Sequence, residues 1–430
     1  MMASARMALY LALVSAVARA PAFLIPILIA GVFGSGPETD AYFIAYSAVL
    51  LLGGTLGQGV EQAVVPFAAR ELHRPDGSAR RYLDAAAGTS AGAGLVAWLV
   101  CLPVLGFVAA PQLRHSILVY AFCFTPLALA WCAAATFSGA LVARWQIARA
   151  TGSLLWRGAG ALVGIALVPL GGGLWGVALG LGAGEVSRVW WLRRAIVREL
   201  PSDTGSQRAS LRDLARAASA QVGASAAIGA APLVERLLAA TLGIGAVSHL
   251  EYAMRLLAVA AVIFDGALVP LVLARWTSQI TTTGAAPPRR DVLRVLGKGL
   301  GLAVAIAAVL ALFSPRIVQL VLQHGRFTAA DTVAVARVLQ ALSVAYVVNM
   351  GASLLERYYI ALMRNRTLAT LSVGRAALRL LTVWLLLQRE GLLAFPIGFA
   401  VSDGAYLLTL VLLMNKASGA GAATGGATRG

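Results

Sequence analysis

Arg19, Arg375 and Arg379 each stand inside a long apolar run, with no acid within four positions. A guanidinium keeps its proton and presents its N–H donors in a plane, which suits a bidentate grip on phosphate or diphosphate. A charge at the centre of a membrane helix costs about 2.5–3.5 kcal/mol on insertion scales and tends to face a polar cavity. At 1.5 Å of rise per residue, Arg19 lies about 18 Å into its run, and Arg375 and Arg379 about 12 and 18 Å into theirs. The last two are four residues apart and share a helix face. Arg255 is nearer the opening of its run, about 9 Å deep. Glu251, four residues before it, either neutralises it or leaves it to a ligand. Glu185, Asp265 and Asp403 also fall near mid-depth. Two uses are open for each of these groups: lining a hydrated path for an anion, or pairing across helices. Glu185 has Arg188 within reach. Glu235 and Arg236 point to different helix faces. Arg157, Arg337, Glu356 and Arg357 stand near the ends of runs and are expected to snorkel.

No enzyme constellation accompanies them. His73, His115, His249 and His324 are scattered in or beside loops, and there is no HExxH, P-loop or nucleophile elbow. Cys101, Cys123 and Cys132 form no CxxC pair and read as small packing residues, so no metal centre is expected.

The elements that must position these charges are membrane helices. The chain has 430 residues, 59% hydrophobic and 12% charged, and its mean hydropathy is +0.81. Soluble domains carry about 25% charged residues, so most of this chain must face lipid rather than water. Runs of about 20 apolar residues, each enough for one span, occur at 7–33, 41–67, 83–108, 116–142, 152–170, 173–192, 217–242, 249–274, 297–322, 332–362, 367–387 and 391–414. The expected fold is an all-α polytopic membrane protein of about twelve transmembrane helices in two pseudo-symmetric six-helix lobes. These are residues 1–197 and 217–416, joined by a cytoplasmic linker at 198–216 and followed by a disordered tail at 417–430. Ala18-Arg19-Ala20 imitates a signal cleavage site, but Pro21 follows at once and the apolar run resumes, so the first span is read as retained.

The net charge is +17, almost all of it arginine. Its distribution is that of a membrane protein and not of a nucleic-acid binder. Arg70, Arg74, Arg80, Arg81, Arg144, Arg149 and the cluster from Arg188 to Arg216 lie in even-numbered connections, as do Arg275 to Lys298, Arg364 and Arg366. Arg114, Arg326 and Arg389 lie in odd ones. The bias of about 20 to 3 puts both termini in the cytoplasm. Short echoes relate the halves: Val65-Pro66-Phe67 with Val269-Pro270-Leu271, and Arg149-Ala150-Thr151 with Leu368-Ala369-Thr370. Two halves of like topology put a transporter's substrate site between them, near the midplane.

Glycines mark where helices can approach closely. Gly172, Gly176, Gly180 and Gly184 form a ladder at i, i+4, and Gly53/Gly57, Gly160/Gly164 and Gly297/Gly301 repeat its spacing. Small residues at that spacing let backbones touch in lipid. Packing within the chain is the first expectation and a dimer face the second. Pro21 and Pro26 free carbonyls in the first span and bend it.

The sequence resembles the MurJ/MviN branch of the MOP (multidrug/oligosaccharidyl-lipid/polysaccharide) flippase superfamily. The resemblance rests on Thr39-Asp40-Ala41-Tyr42-Phe43 with Gln58-Gly59, on Glu235-Arg236-Leu237-Leu238-Ala239 through Tyr252-Ala253 and Arg255-Leu256, on His324-Gly325-Arg326-Phe327-Thr328 with Asp331-Thr332, and on Tyr358-Tyr359-Ile360-Ala361. It implies a flippase, not an enzyme, that moves a polyprenyl-diphosphate-linked sugar such as lipid II across the bacterial cytoplasmic membrane by alternating access. Arg19 and Arg255 match family arginines. With Asp40, Arg375 and Arg379 they form the implied substrate-binding set. Glu235 aligns with an acid tied to cation binding in relatives; with Asp265 and Asp403 it is the implied ion-coupling set for Na+ or H+, no organic cofactor being implied. Gly53 and Gly54 stand where the family carries arginines, Met254 replaces an acid, and the branch's extra C-terminal helices do not follow residue 414. An exopolysaccharide or O-antigen (Wzx-like) flippase and a cation-coupled small-molecule exporter are the alternatives. Lipid-linked sugar and membrane lipids are the implied partners.

Overall fold

The computed structural model describes residues 2–71, 79–198 and 211–424. Among the described residues the only regular structure is helical. The helices are α1 (Met2–Phe33), α2 (Pro37–Leu52), α3 (Gln58–Glu71), α4 (Ala79–Val108), α5 (Arg114–Cys123), α6 (Thr125–Ala143), α7 (Ile147–Gly152), α8 (Leu154–Ala166), α9 (Gly173–Val197), α10 (Arg212–Ala240), α11 (Ala246–Thr283), α12 (Arg289–Leu322), α13 (Ala329–Ala361), α14 (Asn365–Glu390) and α15 (Ala394–Thr424). Every predicted span falls on one helix or on two in succession. Among the described residues, seven stretches are long and apolar enough to cross a membrane by composition alone. The last of these, Asn365–Met414, takes in two predicted spans. α9 fails that test because it carries Glu185, Arg188, Arg193 and Arg194. The chain is a multi-pass membrane protein. Most of the predicted linker, 199–210, lies outside the described residues, as do 425–430 of the predicted tail; α15 continues through its Ala-rich start to Thr424.

Two compact units divide the chain, Met1–Ser248 and His249–Gly430. In the first, α8 packs along α9; α6 lies against α3, α4 and α9; α1 lies against α7 and α8; and α10 lies against α2 and α3. Contacts thus group α10 with the helices before it, whereas the repeat reading begins the second lobe at 217. In the second unit, α13 packs on α12 and α15, and α14 packs on α15. Its core gathers Trp276, Tyr358 and Tyr359, with ring centroids 5.6 and 5.7 Å apart, and the Tyr359 hydroxyl donates to the Leu410 carbonyl at 2.8 Å. The His324-to-Thr332 motif is a helix start. Gly325 turns with φ +60°, Phe327 buries itself edge-on to Tyr252, and Thr328 and Asp331 form a capping box on α13.

The glycine ladder is an α8/α9 contact within the first unit. A Cβ on Gly160 would meet the Gly184 backbone at 2.8 Å, and one on Gly164 would meet the Val177 Cα at 2.8 Å. Gly297 and Gly301 differ: a Cβ on either would meet nothing within 4 Å. Between α2 and α3 the chain makes one π turn, Gly53–Gly57, and the Trp131 ring lies against Gly53 and Gly57. An extra residue in a turn lets the helix yield to a large wedge, and here the wedge is the indole. Gly160→Leu should lower stability by about 1–3 kcal/mol through overpacking, while Gly301→Leu should leave it unchanged. Thermal unfolding in detergent checks this; equal midpoints for the two variants would remove the α8/α9 ladder from the account.

Candidate functional site

Arg19 is exposed on α1, and among the described residues no acid or carbonyl accepts from it. Pro21, one half-turn later, rests on Gly158 of α8, where a side chain would collide with the proline ring. That contact fixes the stretch of α1 that presents Arg19. Asp40 is fully buried at the start of α2. Its carboxylate accepts from the Gly245 and Ser248 amides at 2.6 and 2.7 Å and from the Ser248 hydroxyl at 2.7 Å. Those amides open α11 and have no partner within their own helix, so Asp40 is a side-chain cap supplied from a distant segment. Glu235 is buried on α10, and Arg236 beside it donates to the Pro232 carbonyl at 2.7 Å.

The remaining predicted residues belong to the second unit. Arg255 gives its Nε to Glu251 at 2.7 Å, the i, i+4 pair foreseen as one of its two uses. Arg375 donates Nε to Asp403 at 2.6 Å and Nη1 to Glu356 at 3.3 Å, and lies 5.0 Å from the Tyr406 ring centroid. Asp403 is fully buried and also accepts from Asn349 at 2.9 Å. Arg379 stacks on Phe399 at 4.2 Å. Asp403 and Met254 help to line a small cavity of about 150 Å³. The side chain of Asp265, on α11, lies outside the described residues. Arg375 and Arg379 share α14; the first is held by Asp403 and Glu356, and the second stacks on Phe399.

A family model described as lipid II flippase MurJ matches residues 139–428. The chain belongs to the MurJ family. Membership places it among membrane transporters and not among enzymes. The fold agrees. A solved lipid II flippase MurJ in an inward closed conformation is similar, with TM-score 0.78 and 16% identity over 94% of this chain and 87% of that one. An inward-facing multidrug resistance MATE family transporter gives 0.74 and 16% over 95% and 98%. A MOP superfamily transporter from Pyrococcus furiosus gives 0.69 and 15% over 96% and 95%. No curated protein matches the chain.

The sequence reading missed a second charged centre, in the first unit. Arg157, expected to snorkel, instead donates Nε to Glu185 at 2.6 Å, and Arg188 donates Nη1 to the same carboxylate at 2.7 Å. Glu356, also expected to snorkel, is turned to Arg375. The legible signal was Glu185 itself: a buried acid at mid-depth stays charged only beside cations. Removing one partner of a buried ion pair costs about 3–5 kcal/mol, because it strands the other charge. Arg375→Leu and Asp403→Leu should each destabilise by that order, and the double variant by less than their sum, as thermal unfolding would read. Additive losses would mean the two side chains do not depend on each other.

Proposed function

We propose that this member of the MurJ family carries a polyprenyl-diphosphate-linked sugar of the lipid II class across the bacterial cytoplasmic membrane by alternating access, with both termini in the cytoplasm. Arg19 carries the reading: a guanidinium deep in an apolar helix, exposed, with no acid to hold it among the described residues. A charge there is tolerated when it meets something polar, and a diphosphate is the anion that a fixed guanidinium grips best. Family membership favours a lipid-linked precursor over a small-molecule exporter.

In this reading Arg19 and Arg255 hold the diphosphate, and Glu251 sets the direction of Arg255. Asp40 acts by fixing the α2 start rather than by touching the substrate. Arg379, stacked on Phe399, adds positive field in the second unit. Glu235, buried on α10, is proposed with Asp265 and Asp403 as the seat for a coupling Na+ or H+. Two charge-assisted contacts contribute about 1.5–3 kcal/mol each. The double variant Arg19→Ala/Arg255→Ala should therefore lose headgroup translocation by at least about 100-fold in proteoliposomes at equal incorporation. Wild-type translocation by that variant would remove the site.

A further inference from the structure

The Arg157 centre has a use that the proposed site does not absorb. Glu185 is fully buried, and its two oxygens are divided between Arg157 and Arg188; Arg188 also donates Nε to the Ser153 hydroxyl at 2.8 Å. Two guanidinium groups thus share one carboxylate. Glu61 is the other acid in electrostatic reach of Arg188, but its carboxylate accepts from Ser138 at 2.8 Å. Arg157 is the incomplete member: its Nη2 is buried and has no hydrogen-bond partner. A buried charged donor without an acceptor is costly, and an oxygen from outside the cluster would satisfy it.

The second unit shows what that partner would look like. Arg157 and Glu185 are 28 residues apart, and so are Arg375 and Asp403. One constant shift along the chain carries Trp131, Ser138, Arg157, Glu185 and Arg188 onto Asn349, Glu356, Arg375, Asp403 and Tyr406. The two centres therefore share an arginine–carboxylate pair at one spacing. In the second, Glu356 gives Arg375 a second carboxylate at 3.3 Å. In the first, the equivalent residue is Ser138, which turns to Glu61. Arg157 is thus bonded to one carboxylate where Arg375 is bonded to two.

The surroundings keep Arg157 fixed. Its guanidinium lies 3.7 Å from the centroid of the Trp131 ring, which covers one face. The indole is seated on Gly53 and Gly57. Gly158, the residue after Arg157, carries Pro21, so one helix contact places both Arg157 and the Arg19 stretch of α1.

We propose that Arg157 is a further substrate-binding arginine, taking a phosphate oxygen of the transported lipid through Nη2, with Trp131 as a positioning residue and Glu185 as a competing acceptor. This rests on the reading that the substrate bears a diphosphate. The test uses the full chain in nanodiscs with undecaprenyl diphosphate as probe and undecaprenol as its uncharged control. Wild type should bind the diphosphate and discriminate against the alcohol. Arg157→Gln, in which Glu185 keeps Arg188, should weaken diphosphate binding at least tenfold in the folded fraction without changing binding of the alcohol, and Arg157→Lys should recover part of the loss. Glu185→Gln removes the competing carboxylate and should tighten binding, which a merely structural role for the pair does not predict. Should Arg157→Gln fail to fold, the Glu185→Gln result decides: tighter binding supports the assignment, and unchanged or weaker binding overturns it. Full diphosphate affinity in Arg157→Gln, alongside lost affinity in Arg19→Ala, would overturn the role of Arg157 and leave the flippase reading standing. Equal binding of alcohol and diphosphate by the wild type would end both.

Discussion

A guanidinium cannot shed its charge inside a helical bundle, so each one must be given an acid, an aromatic face or a polar visitor. This constraint orders the interior of the chain. Arg375 has two acids, Arg255 has one, and Arg379 has a phenyl ring. Arg157 has half of an acid and an indole, and Arg19 has neither among the described residues. Among Arg375, Arg157 and Arg19, the protein satisfies the charge less completely in that order. The last two lie in the first unit.

The same ranking explains why backbone detail matters to charge. Glu185 can reach Arg157 only because α8 and α9 touch backbone to backbone over Gly160, Gly164 and Gly180. Lipid gives no hydrophobic drive for that contact, so small residues and a shared ion pair must supply it together. In the second unit the matching helices carry Ala376 and Thr382 where the first has Gly158 and Gly164, and Arg375 finds its acids on two different helices, α13 and α15. One repeat holds its arginine by close packing, the other by a wider polar network.

The helices were legible because a span needs a long apolar run, and twelve such runs fell on helices. The depth of Arg19 and the Glu251–Arg255 spacing were legible for the same reason, since both are properties of a single helix. What the sequence hid was tertiary. Arg157 looked like a residue near a helix end because depth was counted along its own helix alone, and Glu185 stands on another. Asp40 was read through a family motif as a substrate residue, and its burial against the Gly245 and Ser248 amides depends on a partner segment about two hundred positions away. Gly297 and Gly301 carry the same spacing as the true ladder yet face open space, so spacing without a facing backbone says little.

The first unit also explains a departure from the family pattern. Gly53 and Gly54 stand where the resemblance leads one to expect arginines on the second span. A side chain at 53 would collide with Trp131, so this helix cannot present a cation from that position while the indole is in place. The indole in turn is what carries Arg157. Positive charge therefore reaches the neighbourhood of the π turn from α8 instead of from the turn itself. A guanidinium laid on a ring and tied to a buried carboxylate has fewer orientations than one on a free helix face, which favours a ligand whose oxygens arrive in a fixed geometry. The glycines, the tryptophan and the displaced arginine form one arrangement, and altering any member alters where the charge points.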